Sequence, residues 1–386
     1  MDGDLRRRQK EKRYQERVRQ VRRNRIILAA SAAAVILIAA LAIRSCAGGK
    51  SGQQKKTGAE ESVLSSSSAA VSTSSSGGSG VTADLTISAA GDCTLGTDEN
   101  FDPSYSFDTV CRQQGDPSYF FANVRDVFSS DDLSIVNLEG TLTEATQRAD
   151  KTYAFKGSPE YAKILKDGSI EAVNLANNHS HDYGDQSYED TISNVENAGI
   201  TSFGYDRSRV ITVNGVKVGL VGTYELKDGI GCKDEMLDQI QSVKKQGADL
   251  VIASFHWGTE RENYPDDVQK ELAHAAVDAG ADLVLGHHPH VLQGIETYNG
   301  KQIVYSLGNF CFGGNNDPSD KDTMIYRQTF HIINGTVSSD SSYETIPCSI
   351  SSVSDRNNFQ PTVLTGSEKE RVQARIDKYS EGLSGS

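Results

Sequence analysis

A chain of 386 residues, 37% hydrophobic and 24% charged, is long enough for one large domain or two ordinary ones. Its net charge of −13 is unevenly laid out, because residues 1–44 carry +8 and leave −21 on the remainder. Such acidity disfavours nucleic acid and loose capture of any polyanion, and it is compatible with cation binding.

Residues 1–25 hold eleven Lys and Arg against four acids. Eighteen uncharged residues follow, Ile26 to Ile43, closed by Arg44. At 1.5 Å per residue such a helix just spans a hydrocarbon core of about 30 Å. The basic flank is long for a cleaved leader, and no small-x-small cleavage site is obvious. Arg44, two positions before Cys46, spoils a lipoprotein signal. The expectation is a single-pass signal anchor over 26–43. Residues 1–25 then form a basic cytoplasmic segment, and everything beyond Arg44 faces outward from the cell membrane. Residues 44–83 read as a Ser/Gly-rich linker, since runs such as Ser65–Ser68 and Ser72–Ser76 cannot bury a core.

From Leu85 the texture changes to short apolar strands that stop at polar residues. Leu85–Ala90 ends at Gly91-Asp92, and Leu133–Asn137 ends at Leu138-Glu139-Gly140. Ser158-Pro159 places a cap and a first-turn proline before a helix that Gly168 closes. Ala172–Ala176 ends at Asn177-Asn178-His179, and Leu250–Phe255 at His256-Trp257-Gly258. Pro265 opens a helix with Val268, Leu272, Ala276 and Ala279 apolar, ended by Gly280. Leu283–Leu285 ends at Gly286-His287. Met324–Ile333 and Thr336–Ile350 read as long strands around the hairpin signal Asn334-Gly335, and Glu368–Tyr379 as a last helix. Alternating strands and helices predict an α/β domain over 84–365, a C-terminal helix and tail over 366–386, and ligands beyond the strand carboxyl ends.

Those ends deliver Asp92, Glu139, Asn178, His179, His256, His288 and His290. One such residue means little, because Asp and Asn start turns and histidines satisfy structural hydrogen bonds. Five ends of this kind point to a divalent cation, one or two, held by mixed oxygen and nitrogen ligands suited to Mn, Fe, Zn or Mg. Glu260 could orient His256, and Asp182 could orient His179. Asn309 either caps a loop or touches substrate. Trp257, the only tryptophan, reads as a packed anchor rather than a stacking platform. His181, His274 and His331 read as structural. Six scattered cysteines without Cys-x-x-Cys give no disulfide framework.

The ordered set Gly91-Asp92, Asn137-Leu138-Glu139-Gly140, 175–184, 256–260, Gly286-His287-His288-Pro289-His290 and 305–310 resembles the CapA family of capsular poly-γ-glutamate synthesis proteins. The resemblance runs from about Leu85 to about Leu364. It implies a metallophosphatase-like layered α/β sandwich with mixed sheets. It also implies Asp92, Glu139, Asn178, His256, His288 and His290 as metal ligands. His179 would be the histidine that steers phosphate or leaving group, helped by Asp182, with His287 behind the ligands or at the surface. Metallophosphatases follow the first aspartate with x-His, whereas here Cys93-Thr94 follows Asp92, which removes one nitrogen ligand.

The implied function is metal-dependent hydrolysis in synthesis, export or remodelling of an envelope polymer, alongside a membrane-bound polymer ligase. The alternatives are a non-catalytic, metal-stabilised scaffold of such a complex and a general envelope metallophosphatase.

Overall fold

Near-continuous buried runs along the central strands build two main sheets with cores on both faces. In the computed structural model of the chain, residues 81–339 and 342–384 are described. The segment 1–25, the expected anchor 26–43 and the linker as far as residue 80 lie outside them. Among the described residues no helix is long and apolar enough to cross a membrane.

In chain order the elements used below are β1 (Ala83–Thr94), α1 (Phe107–Gln114), β2 (Leu133–Glu139), α2 (Ala162–Asp167), β3 (Ala172–Asn174), α3 (Asp185–Asn197), β4 (Thr201–Phe203), β5 (Arg209–Val213) and β6 (Val216–Tyr224). They continue with α4 (Lys233–Lys245), β7 (Leu250–His256), α5 (Asp267–Asp278), β8 (Leu283–His287), β9 (Ile295–Tyr298) and β10 (Lys301–Val304). The last are β11 (Asn309–Phe312), β12 (Asp322–Ile333), β13 (Ser342–Ser349), β14 (Thr362–Val363) and α6 (Gly366–Ser380).

One sheet runs β14-β13-β12-β1-β2-β3-β4, with β11 parallel to the end of β1. It is mixed: β1 to β4 are parallel, while β12 joins β1 and β13 antiparallel. The other runs β9-β10-β8-β7-β6-β5, parallel from β10 to β6 and antiparallel at both edges. Leu85, Ile87, Leu133 and Ile135 of the first sheet share a buried cluster with Leu220, Leu250, Ile252, Leu283 and Leu285 of the second. The opposite faces bury Val136 and Val173 under Ile164, Leu165, Ile192 and Val195, and Val251 and Ala253 under Met236, Ile240, Leu272 and Ala276. The order is helix, sheet, sheet, helix, with Val372 and Ile376 of α6 added to the central core. Both sheets expect ligands at the carboxyl ends of their parallel strands.

Local details differ from the sequence reading. β3 stops at Asn174, because the Asn174 side chain accepts from the Ala176 amide at 3.1 Å and starts a turn in place of the ladder. The helix after Ser158 begins as a tight Pro159–Tyr161 turn before α2. Asp266 caps α5 through a reciprocal capping box with Gln269, so the helix starts two residues past Pro265. The expected strand over 336–350 is instead a short Thr336–Val337 pairing followed by β13. The five described cysteines are free thiols.

Candidate metal centre

β1 crosses its neighbours at Gly91, where a Cβ would lie 1.9 Å from the Gly308 carbonyl oxygen. That approach lets the Asp92 amide donate to Gly308 at 2.9 Å, and a register shift between Ala89 and Asp92 aims the carboxylate out of the strand. Asp92 is fully buried. Its Oδ1 accepts from the Asn137 amide at 2.8 Å, and its Oδ2 accepts from the His288 backbone at 3.2 Å and lies 3.2 Å from His290 Nδ1. Two strand positions beyond Asn137, Glu139 accepts from Thr94 Oγ1 at 3.3 Å through Oε2. Its Oε1 is buried with no hydrogen-bond partner and sits 3.4 Å from His256 Nε2.

His256 ends β7, fully buried, with Nε2 2.7 Å from Asn178 Oδ1 and Nδ1 3.3 Å from Asn137 Nδ2. Beyond β8, His288 and His290 have φ of +96° and +58°, a conformation that costs side-chain-bearing residues energy and gathers at functional sites. His288 Nδ1 is buried without a partner. His290 Nδ1 donates to Asn309 Oδ1 at 2.9 Å, while the Asn309 amide donates to the His290 carbonyl at 3.2 Å.

Electrostatics follow from burial. Burial alone would raise the Asp92 carboxyl, yet hydrogen bonds and charge from His287 and His290 hold it well below the usual range. Burial, then the Asp92 charge, pushes Glu139 up to about 8. Against the effect of burial, Glu139, Asp92 and Asn309 push His290 up to about 10. Burial and the His290 charge hold His288 down at about 4, and burial holds His256 well below its ordinary value. Asp92 and His290 therefore attract one another, while burial disfavours charge on His256 and His288.

A second cluster adjoins it. Asp182 Oδ2 lies 2.8 Å from His179 Nδ1 and accepts from the Phe155 amide at 2.5 Å. Lys151 Nζ donates to Asp182 Oδ1 at 2.7 Å and to the Asn178 carbonyl at 2.8 Å. Burial lowers the His179 pKa despite Asp182, so the ring is neutral near pH 7. His179, Glu260, His290 and Asn309 line a cleft of about 540 Å³, with exposed Tyr153 and buried Phe155 on its wall.

The family model described as bacterial capsule synthesis protein PGA_cap matches residues 86–314, which contain every residue of this centre. The chain belongs to this family. Over 249 residues it is 36% identical to the PGA biosynthesis protein CapA of Bacillus subtilis, covering 59% of this chain and 63% of that one. It is 34% identical over 254 residues to the capsule biosynthesis protein CapA of Bacillus anthracis, covering 59% and 60%. The chain thus spans under two thirds of these curated relatives.

Within the PGA_cap region Asp92, Glu139, Asn178, His256, His288 and His290 come together, with His179 and Asp182 paired beside them. The donor atoms of Asp92, Glu139 and His290 lie within 4.8 Å of one another, as do those of Glu260, His288 and His290. Buried, unpartnered Glu139 Oε1 and His288 Nδ1 facing this cluster fit a divalent cation, because such groups are costly without a partner. Glu260 does not orient His256; that imidazole is held by Asn178 and Asn137. His287 is buried, its Nδ1 3.5 Å from Asp92, so it is not a surface residue. Asn309 clamps His290. Trp257 is a packed anchor, fully buried and stacked on Phe255, with its N–H donated to the Tyr305 carbonyl at 2.9 Å. Sequence reasoning did not single out Asn137 or Lys151.

Proposed function

We propose that this chain works outside the membrane in making, exporting or remodelling poly-γ-glutamate or a related envelope polymer, as a metal-dependent hydrolase. Family membership and the names of the Bacillus relatives support the setting. The hydrolytic reading rests on one observation: buried, unpartnered Glu139 Oε1 and His288 Nδ1 face the Asp92–His290 pair at the foot of an open cleft. The basic segment 1–25 and the uncharged stretch 26–43 support a single-pass anchor with the domain outward.

Asp92, Glu139, Asn178, His256, His288 and His290 would hold one or two divalent ions. Such an ion acidifies a bound water and draws charge from an oxyanion. Asn137 fixes Asp92 and His256 together, and Asn309 fixes the His290 ring so that its Nε2 is the free nitrogen. The Asp182 contact on His179 Nδ1 leaves Nε2 as the ring atom able to take or return a proton in the cleft. Lys151 holds Asp182 in place.

The scaffold reading draws on Thr94, whose hydroxyl is spent on Glu139 where a nitrogen ligand would stand. Elemental analysis of the full-length protein, with hydrolysis of phosphodiesters and γ-glutamyl amides by wild type and His290→Ala, separates the two. Metal and turnover in wild type, both lost in the variant, support the hydrolase. Metal without turnover supports the scaffold, and absence of metal removes both.

A further inference from the structure

Resting on the metal-centre reading, we propose that Glu260 is a direct ligand of the cation, completing a coordination shell that Thr94 cannot complete. Asp92, Glu139 and His290 bring three donor atoms within 4.8 Å of one another. Shared between two ions, the six side chains proposed above give each about three protein donors, which leaves room for a further one in the four to six that divalent ions of this class take from protein and water. Thr94, two residues past Asp92 on β1, has its hydroxyl committed to Glu139 Oε2.

Glu260 comes from a different strand end and is aimed by the backbone. The Trp257 amide donates to the His287 carbonyl at 3.1 Å, and the Arg261 amide donates to the Pro289 carbonyl at 2.8 Å. These two bonds lace the loop after β7 onto the loop after β8. Gly258 and Arg261 take left-handed conformations, with φ of +78° and +64°, to make the turn. Between the two bonds, Glu260 lies with its carboxylate within 4.8 Å of donor atoms of both His288 and His290. Among the described residues no side chain or backbone group pairs with that carboxylate. His288 Nδ1, near it, is buried and has no hydrogen-bond partner. The Glu260 carboxylate is open to water, but the buried His288 Nδ1 is not, and these two metal donors lying within 4.8 Å of each other and of His290 point to an ion between them. A third carboxylate also makes the centre oxygen-rich, which favours manganese or magnesium over zinc.

The test is Mn(II) titration of the full-length protein followed by electron paramagnetic resonance, with water coordination read from hyperfine broadening in oxygen-17 water. Glu260 is exposed, so Glu260→Gln leaves the metal-free melting temperature unchanged. The expected result is at least tenfold weaker Mn(II) binding in Glu260→Gln, one additional water on the bound ion, and partial recovery in Glu260→Asp. Equal affinity in Glu260→Gln overturns the assignment while leaving the metal centre standing. So does weaker affinity with no added water, since Glu260 would then act by charge alone. Failure of wild type to bind Mn(II) overturns both.

Discussion

Asn309 holds His290 at two points, accepting from its ring Nδ1 at 2.9 Å and donating to its backbone carbonyl at 3.2 Å. One amide therefore fixes both the ring and the backbone of a residue at φ +58°. Groups behind metal ligands are worth about 10–100-fold in metal affinity. Asn309→Ala should weaken Mn(II) binding by that factor while the fold persists, measured by calorimetric titration beside a circular dichroism spectrum. Unchanged affinity would show that His290 needs no clamp.

Asp182 gathers three donors: the Phe155 amide at 2.5 Å, Lys151 Nζ at 2.7 Å and His179 Nδ1 at 2.8 Å. Asp182→Ala strands all three in a place where the aspartate is almost wholly buried. With Lys151 partly exposed and able to turn to water, the cost should be about 2–3 kcal/mol in urea unfolding. Lys151→Met should cost roughly 1 kcal/mol, because it removes only the exposed partner. A larger loss for Lys151→Met than for Asp182→Ala would reverse the order of dependence.

Gly91 is required by space rather than by backbone freedom. Its added Cβ would meet the Gly308 carbonyl at 1.9 Å, the same carbonyl that accepts from the Asp92 amide. Gly91→Ala should cost about 1–3 kcal/mol and weaken metal binding by displacing Asp92. Gly115 gives the contrast: φ is +65° at the end of α1 with nothing within 4 Å of an added Cβ. Gly115→Ala should cost about 1 kcal/mol and leave metal affinity alone. Paired thermal melts and metal titrations distinguish the two mechanisms.

Much of the candidate centre was legible because buried, mostly apolar strands stop at acids, amides or imidazoles, as at Asp92, His256 and His288. Asn137 was hidden for the converse reason. It lies inside a strand, and its meaning depends on Asp92 and His256, 45 and 119 residues away. Lys151 sits in an irregular stretch 31 residues before its partner Asp182, where no periodicity advertises a contact. Glu260 was legible as an acid near His256 in sequence, but the turn made by Gly258 and Arg261 carries it to His288 and His290 instead. The short final strands differ for a local reason: polar Ser338 and Ser339 interrupt the alternation that the hairpin began.

The C-terminal helix is pinned by charge. Asp322 on β12 is buried, and both its oxygens accept from Arg371, at 2.6 and 2.7 Å. Arg375 bonds Asp322 as well and reaches Asp320 at 2.7 and 3.0 Å. Burial would raise the Asp322 carboxyl, but the two guanidinium groups outweigh it and lower its pKa. A folded pKa below the unfolded value of about 3.9 contributes stability that is fully present above that value. It is lost as pH falls through the folded pKa, so docking of α6 should weaken below about pH 4. Because both arginines are partly exposed, the contribution should be about 1–2 kcal/mol. Hydrogen exchange over residues 366–380 should be slow at pH 7 in wild type and faster in Asp322→Asn. On acidification the protection of wild type should fall toward that of the variant, with rates corrected for intrinsic pH dependence. If both proteins keep equal protection across that range, apolar contacts of Val372 and Ile376 alone hold the helix.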